Sequence, residues 1–366
     1  LIKHLFKVID KEQILKNKIG IHAEIKKELN TFKRHINSLH KKNKTEALTN
    51  IVGKIEKISA LLSEDNFLDN LSYDVDGQFF HLTTDIRDFS SYENKLFKTL
   101  VEDLPIGAKI HRYTTLDSVY RTIEGGQIRL SGIVGMNDIS EVGYVESYLN
   151  RKYKPMSNPH DINSVNRKFI MCSSELEDEL MQWRLYGDDC KGGCLTFDVI
   201  NNNELPGLLL RKISYGLFID GNNYHPELEL LLRIQKRIKN ILKVELKFRT
   251  LEIWKHFFKS FEYSPEKEVR LLLIGNSEDQ IKGEKHLTGV GNPIDIKWNL
   301  TSSHQILAPF ILLKLSDPRL RCNLSKTLLG AKCPEIGVNL KQFKHLSIKR
   351  GLTDLLVEPS KIKNYR

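Results

Sequence analysis

The chain has 366 residues, 40% hydrophobic and 28% charged, enough for one large domain or two ordinary ones, each with its own core. That composition is typical of a globular protein and excludes a disulfide-stapled miniprotein; no segment reaches the apolar length of a bilayer span, and the opening LIKHLFKVID is too short and too charged for a signal peptide. The formal net charge of +10 is concentrated in residues 1–50, which hold twelve Lys or Arg against five Asp or Glu.

This basic segment lacks interleaved aromatic residues for base stacking, so it offers phosphate attraction at most. Ile21, Ile25, Leu29, Phe32, Ile36 and Leu39 recur at helical spacing, and Ile51, Ile55, Ile58 and Leu62 do so again after the polar stretch His40 to Thr45. The pattern predicts two amphipathic helices, a hairpin or half of a dimer interface, whose partner is an acidic protein, a nucleic acid or a second subunit and not a membrane. Asp74 to Gly77 suits a turn and Gln78 to Leu82 a short strand, and a boundary is expected before Pro105, giving a basic helical domain over residues 1–100. Leu at position 1 points to a fragment or a processed form. Five scattered cysteines suit free thiols in a reducing cytoplasm. Cys190 and Cys194 lack a second close pair of Cys or His, so no metal is expected.

From 105 to 366 short elements alternate. Lys109 to Thr114 suits a strand, Leu116 to Ile123 a helix stopped by Gly125 and Gly126, and Gln127 to Ser131 a second strand. An irregular excursion over 135–165 follows, then a strand at Lys168 to Ser173, a helix from Leu176 to Tyr186, and strands at Gly192 to Val199 and Leu208 to Tyr215. Between Pro226 and Pro265 there is neither glycine nor proline, which predicts one long helix or two abutting ones. Strands at Lys267 to Leu273 and Gln305 to Leu315 complete a mixed sheet of short strands with helical insertions, an α+β fold.

No phosphate loop, dinucleotide fingerprint, HExxH or nucleophile elbow is present. Three polar units occur in order: His111-Arg112-Tyr113-Thr114, Ser173-Ser174 and Glu266-Lys267-Glu268. In a strand beginning near Lys267, Glu266 and Glu268 share one face while Val269, Leu271 and Leu273 enter a core. The three units suit a dinucleotide site: Arg112 for the pyrophosphate or ribose, Ser173 for the nicotinamide ribose, Glu268 for its 2′-hydroxyl and the charge that develops as the glycosidic bond breaks, and Glu266 to orient or deprotonate an acceptor. Tyr113, Trp183 and Tyr186 stand on the same cofactor side. Each unit also has a structural reading: a salt bridge for Arg112, a Ser174–Glu177 capping box, core aromatics, and neutralisation of the carboxylates by Lys267 or Arg270.

Four segments carry a resemblance. HRYTTLDSVYRTIEGGQIRLSGIVGMNDISE, FIMCSSELEDELMQWRLYGDDCKGGCLTFDV, Phe261 to Leu272 and the closing SKIKNYR resemble, in order, segments of the bacterial family catalogued as domain of unknown function 2971, over about residues 108–366. The turn Met136 to Glu141 lacks that family's usual proline and aromatics. The Arg, Ser, Glu-x-Glu order is in turn similar to the arginine-type ADP-ribosyltransferases. That likeness implies a toxin or anti-phage effector consuming NAD, with Glu268 as its catalytic glutamate, Glu266 before it, and Arg112 and Ser173 on the cofactor. It departs in lacking the usual Ser-Thr-Ser form and in its long segment between Ser173 and Glu268. Two other classes stay open: a non-enzymatic sensor or assembly module, and a metal-dependent nuclease using Asp138, Glu141 and Glu268.

Overall fold

The computed structural model describes residues 2–43, 46–62, 71–74, 79–82, 91–133, 140–149, 168–202, 207–242, 245–275, 278–281, 284–287, 294–300, 307–317 and 320–362. The fold is α+β, with a helical N-terminal region and a mixed, mostly antiparallel sheet. The chain divides into two compact units, each built from three segments. One combines residues 1–102, 140–153 and 214–262, the other 103–139, 154–213 and 263–366. The first division falls at Glu102/Asp103, beside the expected boundary before Pro105; the later segments interleave.

In the first unit the helical periodicity produces helices Ile2–Asn43 and Glu46–Leu62. Ile21, Ile25, Leu29, Phe32 and Ile36 are buried on one and Ile51, Ile55 and Ile58 on the other. A third helix, Pro226–Leu242, packs against both, burying Leu228, Leu231, Ile234 and Ile238. The expected helix beyond it does not form. Glu245–Lys247 pairs in parallel with Phe79–Leu82, and a single α-helical turn, Leu251–Trp254, continued by a 3₁₀ turn, Lys255–Phe257, precedes the strand Phe258–Lys259. Aromatic residues here answer to tertiary partners: Trp254 stacks on Phe97 at 5.9 Å and donates its indole N–H to Asn94 at 2.8 Å.

The second unit is organised by a ten-stranded sheet. Its elements in chain order are β1 (Lys109–Thr114), α1 (Leu116–Gly125), β2 (Gln127–Gly132), β3 (Lys168–Ser174), α2 (Leu180–Tyr186), β4 (Gly193–Val199), β5 (Leu208–Lys212), β6 (Glu268–Ile274), β7 (Lys297–Leu300), β8 (Leu307–Lys314), β9 (Cys322–Leu329), α3 (Ile336–Lys349) and β10 (Leu356–Pro359). The main path runs β7-β8-β2-β3-β1-β4-β9-β10, with β6 pairing both β3 and β5; β9 and β10 are parallel and the other pairs antiparallel. Thr115 caps α1 by accepting from the Ser118 N–H, and Gly126 closes it in the left-handed conformation at φ 58°.

Alternation along these strands sorts the residues. Ile110, Ile128, Leu130, Phe169, Met171, Phe197, Leu271 and Ile311 form one core with Val119 and Ile123 of α1 and Phe343 of α3. Val269, Leu271 and Leu273 enter that core as the β6 pattern predicts. Two local expectations fail. The Leu176 helix begins only at Leu180, because Asp178 takes a left-handed φ of 54° and accepts from the Trp183 indole at 2.8 Å. The Ser174–Glu177 capping box is absent: the Ser174 hydroxyl accepts from the Leu176 N–H and donates to the Glu266 carbonyl at 2.6 Å.

Candidate active site

Strand β3 has an unusual set of partners. β6 covers one edge over all seven residues, Lys168 to Ser174. The other edge is shared, with β2 pairing at Phe169 and Ile170 and β1 at Ser174 only. The sheet therefore forks along Met171 to Ser173. Arg112 reaches into the fork, where its Nη1 donates to the Arg129 carbonyl at 2.7 Å, beyond the stretch of β2 that pairs with β3. Burial pushes the Arg112 guanidinium down to about 10, with the Cys172 thiol opposing the shift and the Arg129 charge adding to it.

On the face away from the α1 core, cross-strand register builds a polar row that the sequence does not announce. Glu268 lies opposite Ser174, Ser174 opposite His111, His111 opposite Thr196 and Thr196 opposite Lys326. Residues directly opposite share a face, so five strands contribute one side chain each. His111 is buried, with its Nδ1 3.0 Å from the Thr196 hydroxyl, and burial pushes it down to about 4 against the pull of Glu177. Glu177 in turn ion-pairs with Lys326.

The Glu-x-Glu unit sits at the β6 end of this row. Lys267 adopts a left-handed φ of 45°, so Glu266 ends a 3₁₀ turn and strand alternation starts only at Glu268. Tyr186 of α2 meets the first of these carboxylates directly, and the second acts on it through its charge. The Tyr186 hydroxyl donates to Glu266 at 2.7 Å, and burial, this bond and the charges of Glu266 and Glu268 hold it protonated, well above the usual phenol range. Glu268 is 5% exposed and takes a bidentate contact from Arg270, at 2.6 Å from Nε and 3.1 Å from Nη2. Cys172, opposite Arg270 and exposed, lies between this group and the fork.

The residues singled out in the sequence thus divide. Glu266, Glu268 and Tyr186 come together. Arg112 lies across β3 from them and leaves β1 on the opposite face, the one shared by Leu195 and Ser173, where it reaches the Arg129 carbonyl. Ser173 lies opposite Val269, so it leaves the sheet on the face opposite Glu268; it is 6% exposed, and its hydroxyl has no hydrogen-bond partner among the described residues. Tyr113 and Trp183 form a separate buried cluster with Cys190, Cys194 and Leu328. There Tyr113 donates to the Leu176 carbonyl at 2.7 Å and meets Trp183 edge to face at 5.1 Å. Asp178 also accepts from Ser360 and from the Lys361 N–H, which fixes the start of the SKIKNYR segment; residues 363–366 lie outside the described ones. Asp138 and the rest of the 134–139 stretch are outside them too, as is the Glu141 side chain. Among the described residues no group of three or more His, Cys, Asp or Glu is placed to hold a metal, and no helix is long and apolar enough to cross a membrane.

Sequence reasoning gave no role to Cys172, Thr196 or Lys326; register brings Thr196 and Lys326 into the row with Ser174 and His111, and sets Cys172 opposite Arg270. The pairing of Glu268 with Arg270 had a signal, since residues two apart on a strand share a face. Comparison of the chain with protein-family models, curated proteins and solved structures found no match.

Proposed function

We propose that the unit built on the ten-stranded sheet is a NAD-consuming catalytic module of the ADP-ribosyltransferase type, with Glu268 and Glu266 at its reacting centre, acting as a toxin or anti-phage effector. The observation that carries this reading is the group of two carboxylates and a tyrosine at the mouth of the central strand, one carboxylate being tied to an arginine on its own strand. Bidentate contact with Arg270 favours the ionised form of Glu268, and an anion at that place suits a ribose 2′-hydroxyl and the positive charge that grows as a glycosidic bond opens. Glu266, half-buried and joined to the exposed Tyr186, is the carboxylate better placed to meet an acceptor. Arg112 keeps a part in cofactor binding from the fork. Ser173 contributes from the core side of β3, by shape and not by direct contact.

The chemistry balances without a further reagent: the C1′–N bond to nicotinamide breaks with its electron pair, and an acceptor hydroxyl, amine or water forms the new bond and yields its proton to Glu266. The test incubates the full chain with NAD labelled in the adenylate portion, alone and with protein and nucleic-acid acceptors, following nicotinamide release and label transfer. Release that disappears in Glu268→Gln, with the fold intact by circular dichroism, is expected. Neither binding nor release across the panel, or full activity in Glu268→Gln, sinks the reading.

A second reading has its own observation. The same Glu268–Arg270 pair neutralises a buried carboxylate, as a non-enzymatic assembly or sensor module requires. It predicts that Glu268 and Arg270 are replaceable together by apolar residues with no loss beyond stability.

A further inference from the structure

Glu266 is held by three side chains from two elements. The Gln182 amide of α2 donates from Nε2 to the Glu266 main-chain carbonyl at 3.1 Å, and the Ser174 hydroxyl at the end of β3 donates to the same oxygen at 2.6 Å. Both donors are nearly out of reach of water, Gln182 at 3% exposure and Ser174 at 2%. The Tyr186 hydroxyl meets the carboxylate itself. One partner satisfies a main-chain carbonyl; two buried side-chain donors occupy both of its lone pairs and fix its direction.

These bonds fall where the backbone is least able to hold its own place. Lys267, the next residue, has the left-handed φ of 45° that a lysine rarely adopts, and such a conformation persists only where its surroundings fix it. The Lys267 carbonyl accepts from the Glu175 N–H at 2.9 Å, so Ser174 and Glu175 together hold Glu266 and Lys267. Gln182 and Tyr186 lie four residues apart on α2, about one helical turn, so the amide and the phenol leave the helix on one side. That helix therefore meets Glu266 twice, at its main chain and at its carboxylate.

We infer that Gln182 and Ser174 are positioning residues that fix the main chain of Glu266, so that its carboxylate, steered by Tyr186, stands at a set place for the acceptor. This role rests on the NAD-consuming reading of the site, in which Glu266 takes the proton of an acceptor hydroxyl or amine. The positive charge that grows on the ribose is met instead at Glu268, which is placed independently by Arg270 and by its pairing opposite Ser174. Freeing Glu266 therefore weakens transfer to an acceptor and spares the opening of the glycosidic bond.

Two measurements on the full chain test it, each comparing wild type with Gln182→Met, which keeps the side-chain length and removes the donor, and with Ser174→Ala. The first is the split between nicotinamide release and label transfer from NAD. Transfer is expected to fall by about tenfold in either variant through kcat, with release and the KM for NAD within about twofold of wild type. The second is hydrogen exchange at the Glu175 amide, which donates to Lys267. It should quicken by about tenfold in either variant while the amides of Val269 to Leu273 keep their protection. Exchange needs no turnover and so separates the two ideas. If wild type cleaves no NAD, the enzymatic reading falls, and quickened exchange still shows that Gln182 and Ser174 fix Glu266; exchange also decides where water is the only acceptor. Unchanged exchange in both variants, or transfer and release falling in step, overturns the inference.

Discussion

Arg270 and Glu268 face each other two positions apart on a strand whose neighbours exclude water, so each is the other's counter-charge. Removing one side of such a pair costs on the order of 3 kcal/mol, since a desolvated ion loses its partner. Glu268→Gln should therefore lower the denaturation midpoint as well as any activity. The double variant Glu268→Gln with Arg270→Met should recover part of that stability while activity stays lost. Equal stability in wild type and Glu268→Gln would count against the bidentate contact. His111 gives a second residue-scale prediction. Unfolded, its imidazole titrates near 6.5; folded, burial pushes it down to about 4. Above 6.5 both states are neutral and the residue adds no pH dependence. Between 6.5 and 4 only the unfolded chain takes up the proton, so stability falls with pH, by roughly 3 kcal/mol in all, and levels off below about 4. His111→Gln should flatten that part of a pH-dependent unfolding curve. An unchanged slope would mean that His111 accepts its proton in the folded state. None of this was legible in the HRYT tetrapeptide. Strand alternation alone places His111 and Tyr113 on one face and Arg112 on the other, but it does not say which face carries the site.

At the scale of elements, helix Pro226–Leu242 is held by more than its apolar stripe. Lys54 donates to Glu227 at 2.8 Å and to the Leu100 carbonyl at 2.8 Å, and His225 places Nδ1 3.2 Å from the same carboxylate. Burial opposes ionisation of Glu227, yet the Lys54 and His225 charges and hydrogen bonds prevail and hold it well below the usual carboxylate range. Its contribution is thus present above the unfolded carboxylate range and lost as pH falls through the depressed folded value. Lys54→Met leaves that carboxylate with one cationic neighbour fewer and should cost on the order of 3 kcal/mol, read as a lower thermal midpoint. Pairing Lys54→Met with Glu227→Leu should restore much of it. A midpoint unmoved by Lys54→Met would remove this contact from the account. Helices with a clean apolar period were legible in the sequence, because burial of one stripe decides them locally. The stretch after Leu242 was not. Its strand Glu245–Lys247 exists only because Phe79–Leu82 offers an edge, and no local pattern encodes that partner. The β6 core pattern was legible for the same reason as the helices, whereas the Lys267 kink ahead of it depends on a conformation that a lysine rarely adopts.

At the scale of the molecule, the chain crosses between its two units several times, and this is what a linear reading of residues 1–100 and 105–366 lacks. Segments 140–153 and 214–262 belong with the N-terminal helices. Lys255 ion-pairs with Glu146 at 2.8 Å, and the His225 N–H donates to the Tyr148 hydroxyl at 3.1 Å, so these segments also hold each other. A chain starting at Asp103 keeps Leu228, Leu231, Ile234 and Ile238 of Pro226–Leu242 but loses the two helices they pack against. Four buried aliphatic side chains returned to water cost roughly 6 to 12 kcal/mol, comparable with the whole stability of an ordinary domain. Such a truncation should aggregate or bind hydrophobic dyes. A second form, in which residues 140–153 and 214–262 are also replaced by Gly/Ser linkers, should unfold in one cooperative transition and keep the near-ultraviolet signal of the edge-on Trp183–Tyr113 pair, because every strand of the ten-stranded sheet lies outside the deleted stretches. Cooperative folding of the simple truncation, or failure of the linker form, would show that the sheet and the helical unit do not divide along these segments.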